Sequence, residues 1–386
     1  MRVAVNIEQL LYSSPGGTGR YVARIVALLP RLFEEDVVLP FVARHSGDEI
    51  AAAYQAFGLD LAGVAAPARL RLPRPLLYEA WHRLGLPRLD RRPVDVASAD
   101  LVHAPFPAVP PRGRRPLVVT VHDAFYELYP EGFSRRGRSF HRLGVAAAAR
   151  RADLVITVSQ AAAEQIASLT PIPPERIRVV PNGVDHIVAG PEEVARALSH
   201  HGLAGQPYVL WVGSLEPRKN VGTLISAFSR LSSPRDGPPH HLVLVGPPGW
   251  LGGGDIDTAE VARLGDRMHS LGRVDDATLR SLYAGADLFA FPSRDEGFGL
   301  PVLEAMVQNT AVVCSDVPAL AEVAAGAARL VAPGDVDAWA AALEDLLGHP
   351  ESRREMAEAG ERRAADFSWD RSVTATRAVY EEALAG

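Results

Sequence analysis

Lys219 is the only lysine in a chain of 386 residues that carries 40 basic side chains. It stands in Glu216-Pro217-Arg218-Lys219-Asn220, after the strand-like run Tyr208-Val209-Leu210-Trp211-Val212-Gly213. The residues that follow place apolar side chains at Val221, Leu224, Ile225, Phe228 and Leu231. That spacing predicts one face of a helix, with Asn220 as its N-cap. Two cations just before a helix N-terminus oppose the helix dipole. A bound anion resolves the conflict, because such a terminus flanked by Arg and Lys is a good phosphate site. The competing reading is a pair of solvated charges on a surface turn.

A second informative stretch is Phe291-Pro292-Ser293-Arg294-Asp295-Glu296-Gly297-Phe298-Gly299-Leu300-Pro301-Val302-Leu303-Glu304-Ala305. A strand is expected to end at Pro292, a glycine-bearing loop to follow, and Pro301 to open a helix at its first position. Free backbone N–H groups of residues 297–303 would then face the carboxyl end of a sheet, where open α/β sheets bind ligands. Glu296 is placed in the loop and Glu304 in the first helical turn, both within reach of one crevice. Carboxylates accept hydrogen bonds from sugar hydroxyls, although a Glu early in a helix is also favoured by the dipole alone.

Strand-like and helix-like segments alternate around these motifs. Strands are expected at 3–6, 37–42, 117–122, 154–158 and 177–181, and again at 208–213, 241–246, 288–292, 311–315 and 329–331. Helices are expected near 19–33, 47–57, 75–85, 134–151, 159–169, 220–232, 256–269, 276–284, 301–308, 317–324 and 335–347. Repeated β-α units imply parallel sheets covered on both faces, and two such series imply two doubly wound domains. A linker is expected near 185–205. The domains are read as 1–190 and 191–365, with a helix over 366–386 packing back toward the first.

Composition narrows the classes. Hydrophobic content is 47% and charged content 22%, enough for two sizeable cores. No run approaches the roughly 18–20 apolar residues of a membrane helix. The start, Met1-Arg2-Val3-Ala4-Val5-Asn6-Ile7, reads as a strand and not as a signal peptide. One cysteine, Cys314, permits no intrachain disulfide. A cytoplasmic protein is expected, with contact to the inner membrane face compatible with it. The net charge of −6 divides unevenly, +5 over residues 1–185 and −11 over residues 186–386. Asp255-x-Asp257 and Asp335-x-Asp337 fit a metal-binding spacing, but each precedes a helical pattern, which favours capping.

Taken together these motifs resemble the retaining glycosyltransferases of family 4, glycosyltransferase group 1. The resemblance rests on Glu-x7-Glu within Glu-Gly-Phe-Gly-Leu-Pro and on Arg-Lys-Asn after a strand. It extends to Gly16-Gly17-Thr18-Gly19-Arg20-Tyr21, Asp100-Leu101-Val102-His103, Val121-His122-Asp123-Ala124-Phe125, Pro181-Asn182-Gly183-Val184-Asp185 and Leu271-Gly272-Arg273-Val274. It implies the GT-B fold, an α/β architecture of two Rossmann-like domains facing across a cleft, the first for acceptor and the second for nucleotide sugar.

By that resemblance Arg218 and Lys219 hold the donor diphosphate and Glu304 binds the ribose hydroxyls. Glu296 orients the transferred hexose with the amides of Gly297, Phe298 and Gly299, and Leu300 follows in the same loop. Val274 lies on the base-binding strand. Gly17 lets backbone approach the diphosphate, and His122 lines the cleft near the sugar. The resemblance also implies no metal or other cofactor and no protein nucleophile, the departing phosphate taking the acceptor proton.

Val-His-Asp-Ala-Phe with Tyr129-Pro130 is reminiscent of mannosyl- and rhamnosyltransferases acting on polysaccharides, which points to GDP-mannose, with UDP-glucose as the alternative donor. A glycan, lipid-linked or small-molecule acceptor is expected, and nucleic acid is not. The segment Arg69–Arg92, with Tyr78 and Trp81 interleaved, and Arg135, Arg136, Arg138 and Arg142 form two basic stretches that a membrane surface would suit. Two other classes compete. One is a pyridoxal-phosphate-dependent glycan phosphorylase with Lys219 as Schiff base. The other is a non-catalytic sugar-binding protein.

Overall fold

The structure is a computed structural model that describes residues 1–386 apart from 14, 61, 90–93, 232–238 and 248–255. The chain divides into two compact units. The first comprises Met1–Gly183 with Trp369–Gly386, and the second Val184–Ser368. The divisions thus fall at 183/184 and 368/369, not at 190 and 365.

The first unit holds seven strands: β1 (Arg2–Asn6), β2 (Val37–Val42), β3 (Ala68–Arg69), β4 (Leu101–Ala104), β5 (Leu117–Thr120), β6 (Leu154–Thr157) and β7 (Ile177–Val179). They pair in parallel in the order β3-β2-β1-β4-β5-β6-β7. The runs are short and apolar, as strands buried on both faces must be. Alternate residues part to opposite faces. Val3 and Val5 pack with helix Gly16–Leu32 and with Trp369, Val373 and Tyr380, whereas Ala4 joins Phe41, Trp81, Val102 and Val119 on the other side. Helix Trp369–Ala385 is therefore a wall of this unit's core.

The second unit repeats the plan with β8 (Tyr208–Val212), β9 (His241–Val245), β10 (Met268–Gly272), β11 (Leu288–Phe291), β12 (Val312–Ser315) and β13 (Arg329–Val331). Its order is β10-β9-β8-β11-β12-β13, again parallel. The order reverses between β8 and β11, and the carboxyl ends of two such strands open the crevice where doubly wound sheets bind ligands. At that end Gly246, with φ +142°, lies against the backbone of Gly213, and a Cβ there would meet Gly213 O at 1.8 Å.

Three expectations need correction. The stretch 185–205 is not a simple linker, because it carries helix Pro191–His200, which belongs to the second unit. Tyr78 and Trp81 do not face solvent with the arginines around them. They are 6% and 0% exposed and form the core, and the exposed apolar residues there are Leu76, Leu84 and Leu86. Helix Leu300–Val307 starts one residue earlier than expected, with Pro301 at its second position, so Glu304 is its fifth residue and lies beyond the first turn.

Candidate active site

In the second unit, the loops after β8 and β11 clasp one another through their backbones. Pro217–Lys219 makes one 3₁₀ turn, Asn220 takes the left-handed conformation with φ 52°, and the helix then runs Val221–Ser229. Asn is among the few residues that visit this region readily. Asn220 precedes the helix as expected, but its side chain does not cap it. Instead Nδ2 donates to Pro292 O at 3.0 Å, and Oδ1 accepts from Thr223 Oγ1 at 2.9 Å. Arg294 N donates to Arg218 O at 2.8 Å.

This clasp brings Arg218, Lys219 and Glu296 together. Lys219 is buried, its Nζ donates to Glu296 Oε1 at 2.6 Å and it lies 4.8 Å from the Phe291 ring centroid. Arg218 Nη1 donates to Asp295 O at 2.7 Å and stands 3.2 Å from Glu296 Oε2. Burial opposes the charge of Glu296, but Lys219 and Arg218 outweigh it and hold the carboxyl down at about 2. An anion for the two cations is thus already built into the second loop.

The depressed value has a consequence for stability. A carboxyl with a lower value folded than unfolded stabilises the fold above its unfolded value, near 4.5 here, and loses that contribution as pH falls toward about 2. Thermal midpoints of wild type and Glu296→Gln should therefore differ most above pH 5 and converge as pH approaches 2. A gap that stays constant with pH would show that Glu296 is not held ionised by the cations.

The loop continues into a helix N-terminus. Gly297 is half-buried, and Phe298 is buried with its ring edge against Phe367 at 5.8 Å. Gly299, at φ 117°, holds a conformation that strains any other residue, and a Cβ there would meet Leu320 Cδ2 at 2.6 Å. The helix opens at Leu300, where Pro301 has no N–H and Val302 N donates to Gly299 O at 3.0 Å, and the dipole of its N-terminus favours an anion. Glu304, half-buried, accepts a hydrogen bond from Tyr283 Oη at 3.0 Å. Tyr283 sits on helix Asp276–Ala284 and is 1% exposed. The sequence reading did not single out this tyrosine, which orients the carboxylate. Val274 follows β10 and is half-buried.

The other two expected site residues belong to the first unit. Gly17 is exposed at the start of helix Gly16–Leu32. His122 follows β5, its Nε2 lies 3.1 Å from Pro105 O and so donates to it, and burial lowers its pKa. The ring edge of Tyr21 meets it at 5.2 Å. Of the Asp-x-Asp residues, Asp257 accepts from Ala259 N at 2.8 Å and Asp335 from Ala338 N at 3.0 Å, both as helix caps, and Asp337 pairs with Arg230. Asp255 lies outside the described residues. Among the described residues no helix is long and apolar enough to cross a membrane.

Two family models match the chain, one in each half: "Glycosyltransferase Family 4" over residues 15–187 and "Glycosyl transferases group 1" over residues 199–363. The O-antigen chain mannosyltransferase B of Escherichia coli is 35% identical over 314 residues, covering 80% of this chain and 81% of its own length. This chain is a family 4 glycosyltransferase. Family 4 membership makes it an enzyme of the glycosyltransferase class and sets aside the phosphorylase and non-catalytic readings.

The glycosyltransferase is also 35% identical over 243 residues to the MMP α-(1→4)-mannosyltransferase of Mycolicibacterium hassiacum, a match covering 61% of this chain and 56% of that relative. Its fold is that of Anabaena HepE, solved in complex with UDP and glucose, with a TM-score of 0.71 at 22% identity over 99% of both chains. The GT-B expectation of two Rossmann-like domains is therefore met.

Proposed function

We propose that this glycosyltransferase moves a mannosyl residue from GDP-mannose to a glycan or lipid-linked acceptor with retention of configuration. The observation that carries the reading is the Arg218–Lys219–Glu296 cluster at the switch point between β8 and β11, in a chain whose relatives named above are mannosyltransferases. Breaking the glycosyl–phosphate bond develops negative charge on the departing diphosphate. Arg218, the further N–H groups of Lys219 and the amides at residues 297–300 meet that charge as a preorganised set. Glu296, kept ionised, holds both cations in place and offers its remaining lone pairs to sugar hydroxyls. Glu304, oriented by Tyr283, accepts from the ribose. As the anomeric C–O bond to phosphate breaks, the acceptor oxygen bonds to the same face of that carbon and its proton passes to the departing diphosphate.

The donor is tested by thermal shift with GDP, UDP, ADP and dTDP. A ligand at 100 times its dissociation constant stabilises by about 2.7 kcal/mol. GDP should give the largest shift, and UDP doing so would replace the mannosyl donor by a UDP sugar in the same site. Turnover should survive EDTA, since the diphosphate charge is met by Arg218, Lys219 and amides. Activity lost on chelation and restored by Mg²⁺ or Mn²⁺ would overturn the metal-free reading.

Peripheral membrane contact is part of the same proposal. Phe140, on the basic helix Arg135–Arg151, packs 5.3 Å from Tyr78 and 5.4 Å from His82, which joins the two basic stretches. Leu76, Leu84 and Leu86 are exposed in the first of them beside Arg71, Arg83 and Arg88, and Arg135, Arg136 and Arg142 are exposed in the second. Apolar side chains among cations suit an anionic bilayer. The protein should sediment with phosphatidylglycerol vesicles and not with phosphatidylcholine alone, and equal recovery with both would remove the membrane reading.

A further inference from the structure

The first unit contains a hydrogen-bonded chain that the reaction above does not use. Tyr380 Oη lies 2.7 Å from His103 Nδ1, His103 Nε2 lies 2.8 Å from Thr120 Oγ1, and Thr120 Oγ1 lies 3.0 Å from Tyr21 Oη. Tyr21 also bonds Thr376, whose hydroxyl donates to Ser372 O at 2.8 Å. Tyr21, His103, Thr120, Thr376 and Tyr380 are each 0% exposed.

The terminal carbonyl sets the direction of every bond. It can only accept, so Thr376 spends its proton there and accepts from Tyr21. Tyr21 in turn accepts from Thr120, Thr120 accepts from His103 Nε2–H, and His103 Nδ1 accepts from Tyr380. A neutral imidazole has one donor and one acceptor nitrogen, as this arrangement requires. Burial keeps His103 neutral, with its pKa at about 3. The chain leaves helix Trp369–Ala385, passes through β4, β5 and helix Gly16–Leu32, and returns to the helix where it began. Fully satisfied buried networks of this kind rigidify the groups they join.

Its consequence falls on His122. Thr120 lies two residues before His122, at the end of β5. Tyr21 lies one helical turn after Gly17 and sets its ring edge against the His122 imidazole at 5.2 Å and 89°. The bond to Pro105 O holds one ring nitrogen, and the Tyr21 ring packs perpendicular to the imidazole. We propose that Tyr21, Thr120, His103 and Tyr380 are positioning residues for glycosyl transfer, the chain from helix Trp369–Ala385 fixing the Tyr21 ring and the ring fixing the His122 imidazole. The proposal rests on the reading of His122 as a site residue.

Thr120→Val keeps the side-chain shape and removes the hydroxyl in mid-chain. Tyr380→Phe opens the far end and serves should Thr120→Val fail to fold. The readouts are the His122 ring ¹⁵N resonances and turnover of GDP-mannose, or of UDP-glucose where UDP gives the larger thermal shift. Each variant should lower kcat on the order of ten- to a hundredfold, with donor KM little changed, and should shift the His122 resonances. Thr120→Ser should recover most of the loss. In a His122→Ala background either variant should add less than a twofold effect. A full loss persisting in that background, or unmoved His122 resonances in folded variants, overturns the positioning role. A His122→Ala enzyme with unchanged turnover instead sinks the assignment of His122 to the site and, with it, this proposal.

Discussion

Lys219→Ala and Arg218→Ala should each lower turnover roughly 10²–10³-fold, the range for removing one preorganised donor to developing charge. The structure sharpens the reason. The Lys219 ammonium has three donors, and one of them reaches Glu296 at 2.6 Å. The group is held in place before any substrate arrives and needs no reordering during reaction. Its stem runs beside Gly213, where a Cβ would come within 3.7 Å of Lys219 Cδ, and its head sits over the Phe291 ring. Lys219 is buried against Glu296, the Phe291 ring and Gly213, so a larger planar guanidinium would have to displace these neighbours. Lys219→Arg should accordingly fail to rescue Lys219→Ala. Near-normal turnover of either alanine variant, measured with saturating acceptor, would refute the leaving-group role.

Glu296→Gln should lower kcat and kcat/KM together, whereas Glu304→Gln should chiefly raise the donor KM. Glu296 stands between the two cations and beside the proposed position of the sugar, whose charge changes during reaction, so its contribution is largest in the transition state. Glu304 would accept from ribose hydroxyls far from the breaking bond, an interaction similar in ground and transition states. A hydrogen bond to a charged group contributes about 1.5–3 kcal/mol, so KM should rise by roughly ten- to a hundredfold. Tyr283→Phe, which removes one hydrogen bond from the Glu304 carboxylate, should produce a smaller effect of the same kind. Steady-state kinetics with donor varied separates the two carboxylates, and the reverse pattern would exchange their roles.

The loops that form the candidate site were legible because two cations before a helix call for an anion, which the structure supplies first in Glu296. Arg218 and Lys219 oppose a helix dipole, and a Gly-Phe-Gly turn opens a helix at a sheet's carboxyl end. Alternating β-α runs likewise announced the two parallel sheets. What stayed hidden depends on contacts between distant residues. Tyr283 looks like any core aromatic until Glu304 is beside it, and Tyr380 meets His103 across 277 residues. Strand β3 has only two residues, too few for a pattern to register. Helix Pro191–His200 carries no fully buried residue, so the apolar face by which a helix is recognised is narrow. Glu304 is the fifth residue of a helix that begins at Leu300, so the dipole favours it less and Tyr283 is its specific partner.

The position of helix Trp369–Ala385 has a consequence for biosynthesis. The wall it supplies to the core around Val3, Val5, Tyr21 and Ile25 is separated from them in the chain by the entire second unit. Domains fold as they leave the ribosome, ordinarily in the order of synthesis. Here the first unit is completed only after the second has been made. Residues 184–368 emerge complete and can close their sheet while the first unit still lacks one side, with the apolar face of helix Gly16–Leu32 uncovered. A chain truncated before residue 369 would carry the second unit joined to a first one that lacks this helix.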